Sequence, residues 1–149
     1  MTPPSIRHAA ETDLQAMVAL YAHLNPADAP ADPAKTDDAW KALLASPLVN
    51  VFVAESSGEI VASCTIIIVP NVTRGVRPFA LIENVVTHAD HRHKGFGHAV
   101  VAAALDAAWG ADCYKVMLAT GSQKPETLRF YESAGFVQGG KAFFEARPK

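Results

Sequence analysis

A chain of 149 residues, half of them apolar, has the length of a single domain able to bury a proper core. Thirteen basic against fifteen acidic residues leave a formal charge of −2, which argues against nucleic-acid and anionic-membrane partners, and the longest apolar run, Ile66 to Pro70 with its neighbours, is far too short to span a bilayer. The start, Met1 to Arg7, lacks the basic region and apolar stretch of a secretory signal, so a soluble cytoplasmic protein is expected, with Cys64 and Cys113 as two reduced core thiols.

In chain order, Ile6 to Ala9 reads as a short strand. Thr12-x-x-Gln15 reads as a capping box opening a helix through His23, with Leu14, Met17, Val18 and Leu20 near helical spacing. Asn25 to Lys35, rich in Pro, Ala and Asp, reads as a loop; Thr36 or Asp37 then caps a helix carrying Trp40, Leu43 and Leu44, which Pro47 stops. Val51 to Ala54 and Ile60 to Val69 form a hairpin around Ser56-Ser57-Gly58-Glu59. After a loop from Pro70 to Pro78, Leu81 to Thr87 is the central strand, Gly97 to Trp109 the main helix with Gly110 as its stop, and Cys113 to Ala119 the next strand. Pro125 opens a helix running to Ala134, and Phe136-Val137 with Ala142 to Glu145 closes the sheet as a hairpin around Gly139-Gly140. Nothing marks a repeat or a linker, so residues 1–149 are expected to be one domain.

The chemistry concentrates in Arg92-His93-Lys94-Gly95-Phe96-Gly97, which lies between the central strand and the main helix. The first amides of a helix lack internal partners and carry the positive end of its dipole, so a diphosphate there receives charge-assisted hydrogen bonds. Glycines let the backbone approach it, and Arg92 and Lys94 add positive charge, although exposed basic residues are commonly only a solvated rim. A nicotinamide or flavin site would need a third glycine, and His98, Ala99 and Val100 follow instead. His88, His91 and His93 lie near Asp90, but their spacing does not match a helical zinc pair, so no metal is expected.

The pattern Arg92-x-x-Gly95-x-Gly97, preceded by Ile82-Glu83-Asn84-Val85-Val86-Thr87 and followed by Phe130-Tyr131-Glu132-Ser133-Ala134-Gly135-Phe136, resembles the GNAT superfamily of acyl-CoA-dependent N-acyltransferases over Leu81 to Phe136. Ile82 to Val86 and Asp112 to Leu118 are also similar to the branch containing glucosamine-6-phosphate N-acetyltransferases. The resemblance implies a three-layer α/β fold: a central mixed, mostly antiparallel sheet with one splayed parallel strand pair and helices on both faces. It implies acetyl-CoA as co-substrate, with the pyrophosphate on the amides of His93, Lys94, Gly95, Phe96, Gly97 and His98, pantetheine along Val85, Val86 and Thr87, and the Val85 amide near the thioester carbonyl. Tyr131 is the implied general acid for the leaving sulfur.

Glu83 is the candidate base, and a strand carboxylate reaching solvent is its equal alternative. Cys113 as a covalent acyl carrier is the runner-up mechanism, without an adjacent base in the sequence. Many members of the family carry Asn seven residues before the Tyr and Ala four before it, where this chain has Lys124 and Thr127. Ser122 or Lys124 is the candidate replacement for that Asn as a coenzyme contact. Asp28, Asp32, Asp37 and Asp38 favour a cationic acceptor, while Arg74 and Arg77 suit an anionic one, and all six can equally be solvated loop charges. The expected reaction is acetyl transfer to a primary amine of a small molecule, with a protein or peptide lysine as the alternative acceptor and a non-catalytic acyl-CoA sensor as the rival class. A homodimer through the C-terminal strands is implied, with Phe143 and Phe144 as ordinary core and edge residues the alternative.

Overall fold

The computed structural model describes residues 3–149; Met1 and Thr2, the first residues of the segment read above as free of a secretory leader, lie outside them. Five strands form one sheet in the order β1 (Ser5–His8), β2 (Val49–Ser56), β3 (Glu59–Val69), β4 (Phe79–Thr87), β5 (Val116–Met117). All neighbours are antiparallel except β4 and β5, which run parallel. Helices α1 (Leu14–Tyr21) and α2 (Pro33–Ala45) cover one face, and α4 (Phe96–Gly110) with α5 (Pro125–Ser133) the other; α3 (Thr73–Val76) is a single turn between β3 and β4.

Alternation along the strands divides the core in two. Cys64, Ile66, Ala80 and Ile82 meet Val100, Ala104 and Ala108 of α4, while Val51, Val53 and Val86 meet Met17, Leu20 and Trp40 of α1 and α2. The small residues of α4 let that helix lie close to the sheet, which brings its N-terminus to the end of β4. Arg7 ties β1 to the entrance of α1: its guanidinium donates to Asp13 Oδ2 at 2.7 Å and to Glu55 Oε1 at 2.6 Å.

Several local expectations change. The α1 entrance is a 3-10 turn, Glu11–Asp13, whose carboxylate at Asp13 accepts from the Ala10 amide at 2.6 Å, so Thr12 and Gln15 do not form the capping box. Helix α2 starts earlier than expected because Asp32 accepts from the amides of Ala34 and Lys35, and Pro33 presets the first helical residue; neither Thr36 nor Asp37 is the cap. The left-handed residue closing α4 is Asp112 (φ 63°), not Gly110, which is the last helical residue. The strand expected over Cys113 to Ala119 pairs only at Val116 and Met117. The C-terminal hairpin does not form: residues 137–149 have no strand, and Val137, Phe143 and Phe144 are exposed. The Ser57-Gly58 hairpin turn is as expected, both residues being left-handed.

Candidate active site

Two irregularities in β4 open the site. Thr65 pairs with Glu83 and Ser63 with Val86, so the single residue Cys64 faces two on β4, Asn84 and Val85. This bulge is accommodated by a left-handed Asn84 (φ 53°), and it reverses the alternation, turning Val85 toward the α4 face. Meanwhile β4 and β5 pair only through Ala80 with Val116 and Leu81 with Met117. Beyond Leu81 the ladder stops, and the edge of β4 from Glu83 to Thr87 is without a strand partner on that side.

The turn from β4 into α4 curls through two left-handed residues, His93 (φ 61°) and Gly95 (φ 88°), the latter capping the helix with no side chain. Ala99 donates the first helical bond, to the Gly95 carbonyl at 3.0 Å, and among the described residues none of the amides from His93 to His98 donates a hydrogen bond. Six unsatisfied donors at the positive end of a helix make an anion site. The two glycines serve different needs. Gly95 supplies the positive φ, whereas a Cβ on Gly97 would sit 3.0 Å from Thr87 Oγ1 and 3.3 Å from the Phe130 ring, so Gly97 permits close packing of α4 on β4 and α5.

A cavity of about 930 Å³ follows, walled by this turn, by Val85 and Thr87, and by α5. Of the expected coenzyme residues, Val85, Thr87, Arg92, His93, Gly95, Phe96, Gly97 and His98 line it. Val86 does not, because its side chain is buried against α1 and α2. Neither does Lys94, whose Nζ turns back to donate to the Asp90 carbonyl at 3.0 Å; Arg92 Nε likewise leans on the Thr87 carbonyl at 3.4 Å. The opposite wall adds Lys124, Thr127, Arg129 and Phe130. Of these, only Lys124 is a coenzyme contact expected from the sequence, while Arg129 is legible only as a polar position of an amphipathic helix. Ser122 stays local, its hydroxyl pairing with Thr127 Oγ1 at 3.0 Å.

The two cavity walls are clamped together. Ser133 Oγ donates to the Phe130 carbonyl at 2.8 Å, and His98 Nε2 lies 2.7 Å from Ser133 Oγ; with its one proton committed, the Ser133 hydroxyl accepts from the imidazole N–H. Tyr131 lines the cavity beside Val85, edge-on to Phe130 and Phe136, and burial raises its phenol above the ordinary value. It is therefore a neutral donor at physiological pH. Glu83 is exposed, on the face covered by α1 and α2, and makes no hydrogen bond or ion pair among the described residues. Cys113 is buried, and burial pushes its thiol up; Cys64, whose thiol donates to the Val100 carbonyl, is pushed up to about 12. His88 lies between His23, tilted against it at 4.1 Å between ring centres, and His91, edge-on to it at 5.4 Å, with Nδ1 of His23 and His88 accepting from backbone amides.

A parallel pair that splays beside a bulged strand, a bare helix N-terminus and a phenol thus meet at one cavity. Residues 14–136 match the family model of the acetyltransferase (GNAT) family, and the chain belongs to that family of acyl-CoA-dependent N-acetyltransferases. It is 32% identical over 126 residues to glucosamine 6-phosphate N-acetyltransferase of Trypanosoma brucei brucei, covering 85% of this chain and 84% of that protein. Among solved structures, a protein of Agrobacterium tumefaciens str. C58 described as an acetyltransferase by assignment superimposes with a TM-score of 0.92 at 46% identity, over 97% of this chain and 99% of the other. A Bacillus halodurans C-125 protein described as a transcriptional regulator superimposes with a TM-score of 0.86 at 29% identity, over 97% and 100%. No helix among the described residues is long and apolar enough to cross a membrane.

Proposed function

We propose that this chain, acting as one domain over residues 1–149, transfers acetyl from acetyl-CoA to a primary amine of a small molecule by direct attack in a ternary complex. The observation that carries this reading is that His93 and Gly95 to His98, whose amides are free, the open edge of β4 at Val85 and Thr87, and Tyr131 line one cavity. The amides, with Lys124 and Arg129, hold the phosphates. The edge of β4 at Val85 to Thr87 takes the pantetheine arm as a sheet takes an added strand. The Val85 amide, re-aimed by the bulge, receives the developing oxyanion. The amine nitrogen bonds to the thioester carbon, passing its surplus proton to Glu83 directly or through water; the C–S bond then breaks and the sulfur takes the Tyr131 proton. Cys113 is not needed as an acyl carrier, since its thiol is buried and carries a raised pKa.

The similarity to a glucosamine 6-phosphate N-acetyltransferase supports a small acceptor over a protein lysine. A non-catalytic coenzyme sensor is the second reading, favoured by the similarity to the protein described as a transcriptional regulator. The exposed Phe143 and Phe144 support a homodimer formed through the C-terminal segment. The test is acetyl-CoA-dependent thiol release across amino sugars and their phosphates, amino acids, polyamines, aminoglycosides and lysine peptides. Release with small amines supports the proposal, release with peptides alone replaces it with protein acetylation, and silence with acetyl-CoA bound favours the sensor.

A further inference from the structure

Tyr131 sits in the last turn of α5, and the way that turn closes holds its ring. Gly135 is left-handed (φ 104°); its amide donates to the Glu132 carbonyl and the Phe136 amide to the Tyr131 carbonyl, both at 3.1 Å. This is a Schellman closure, in which the residue after the glycine packs back on the last turn, and the Phe136 ring duly meets Tyr131 edge to face at 6.1 Å between centres. Phe130, the residue before Tyr131, meets the same ring edge to face at 4.9 Å. Whatever holds Phe130 therefore bears on the phenol.

Phe130 is held from α4 at both its ring and its carbonyl. The His98 ring meets the Phe130 ring edge to face at 5.0 Å, beside the close approach that Gly97 allows. His98 Nε2 donates to Ser133 Oγ at 2.7 Å, and Ser133 Oγ donates to the Phe130 carbonyl at 2.8 Å, which also accepts from the Ala134 amide at 3.1 Å. A serine hydroxyl turned back on its own helix competes with the regular ladder and bends the turn, and alanine is the better helix former. Both side-chain bonds are exposed, so water competes for them. Stability of the helix thus gives no reason for Ser133, whereas the aim of the turn that carries Tyr131 does.

We propose that His98 and Ser133 are positioning residues that aim the Tyr131 phenol at the departing sulfur. This deepens the transferase reading and rests on it. The coenzyme is held by the α4 turn and the edge of β4, while the proton donor is carried by α5. Donor and acceptor of the proton thus ride on different elements, and His98 Nε2 to Ser133 Oγ is the one hydrogen bond joining α4 to α5 among the described residues. His98 belongs to both sides: its backbone amide is one of the free donors of the turn, and its ring crosses to α5. Proton transfer needs hydrogen-bond reach, and a displacement of about 1 Å costs up to about 10²-fold, so a weak exposed bond can matter more to rate than to stability.

The experiment labels tyrosine isotopically at Cζ in the full chain, which gives three phenol signals, from Tyr21, Tyr114 and Tyr131. The signal missing from Tyr131→Phe is assigned to Tyr131. Spectra are recorded with saturating coenzyme A for the wild type, Ser133→Ala, Ser133→Thr and His98→Phe, the last keeping a ring against Phe130 while losing the N–H. Ser133→Ala and His98→Phe are each expected to shift the Tyr131 signal and leave Tyr21 and Tyr114 in place. Ser133→Thr, whose hydroxyl bonds back in the same way, keeps the wild-type position, and Ser133→Ala melts no lower than the wild type. In thiol release with the best acceptor amine, Ser133→Ala and His98→Phe each lower kcat about fivefold or more at an acetyl-CoA affinity within about twofold, and the double variant falls no further than either. A Tyr131 signal unmoved in either variant, or Ser133→Thr behaving as Ser133→Ala, overturns the proposal. A shifted signal with Tyr131→Phe at wild-type kcat supports the positioning and overturns the acid role; an unmoved signal with Tyr131→Phe impaired overturns the positioning alone.

Discussion

At the residue scale, the proposed transfer depends on a phenol that stays protonated. Tyr131 is half-buried, and desolvation of the phenolate is the first cause of its raised pKa, with the nearby Cys64 adding to it. Raising the pKa of an acid extends the range in which it holds its proton, so the sign is clear: the alkaline limb of kcat is expected to fall above pH 10, the ordinary phenol value. Tyr131→Phe should abolish that limb, as a pH–rate profile would show. A limb retained in the variant would assign it to another group. Glu83 makes a contrasting case. It is solvent-exposed and makes no hydrogen bond or ion pair among the described residues, so it is open to an incoming ammonium.

At the element scale, the strand-to-helix turn joins the fold to the site. Gly97 has a helical conformation, so alanine there would gain up to about 1 kcal/mol of helix propensity in a helix interior and less in the first turn. Against this, its Cβ would lie 3.0 Å from Thr87 Oγ1 and 3.3 Å from Phe130, and such overpacking costs about 1–3 kcal/mol. The clash wins. Gly97→Ala is expected to lower stability by about 1 kcal/mol in denaturant unfolding, and to weaken acetyl-CoA binding in titration, because α4 and α5 must part to make room. A stabilised variant with unchanged affinity would show that the contact yields.

Much at this scale was legible in the sequence, because the main elements announce themselves by periodicity and by punctuation: Ser57-Gly58, Pro125, and the glycine turn. What escaped is what neighbours decide. The β4 bulge uses Asn84 rather than glycine, and only the register against β3 reveals it. Asp112 takes the left-handed position that Gly110 seemed made for, since the helix runs on until Cys113 can donate to the Ala108 carbonyl.

For the whole molecule, the unresolved demand is apolar. Phe143 is 71% and Phe144 89% exposed, on a segment that joins no sheet. Exposing two phenylalanines costs roughly 1.5–3 kcal/mol each relative to burial, an incentive for association. With the homodimer proposed above, Phe143→Ser together with Phe144→Ser is expected to convert a dimer to a monomer by light scattering at micromolar concentration. A wild-type chain that is monomeric throughout would remove the proposal.

The central question is whether the cavity proposed to hold coenzyme also performs chemistry. The most direct measurement compares wild type and Tyr131→Phe for two quantities in one preparation: the dissociation constant of acetyl-CoA and kcat with the best acceptor amine. The predicted result is an affinity within about twofold and a kcat lower by about 10²- to 10⁴-fold, the range for loss of a general acid. An unchanged kcat would contradict the assignment of Tyr131, and loss of acetyl-CoA affinity in step with kcat would make the phenol a binding group instead.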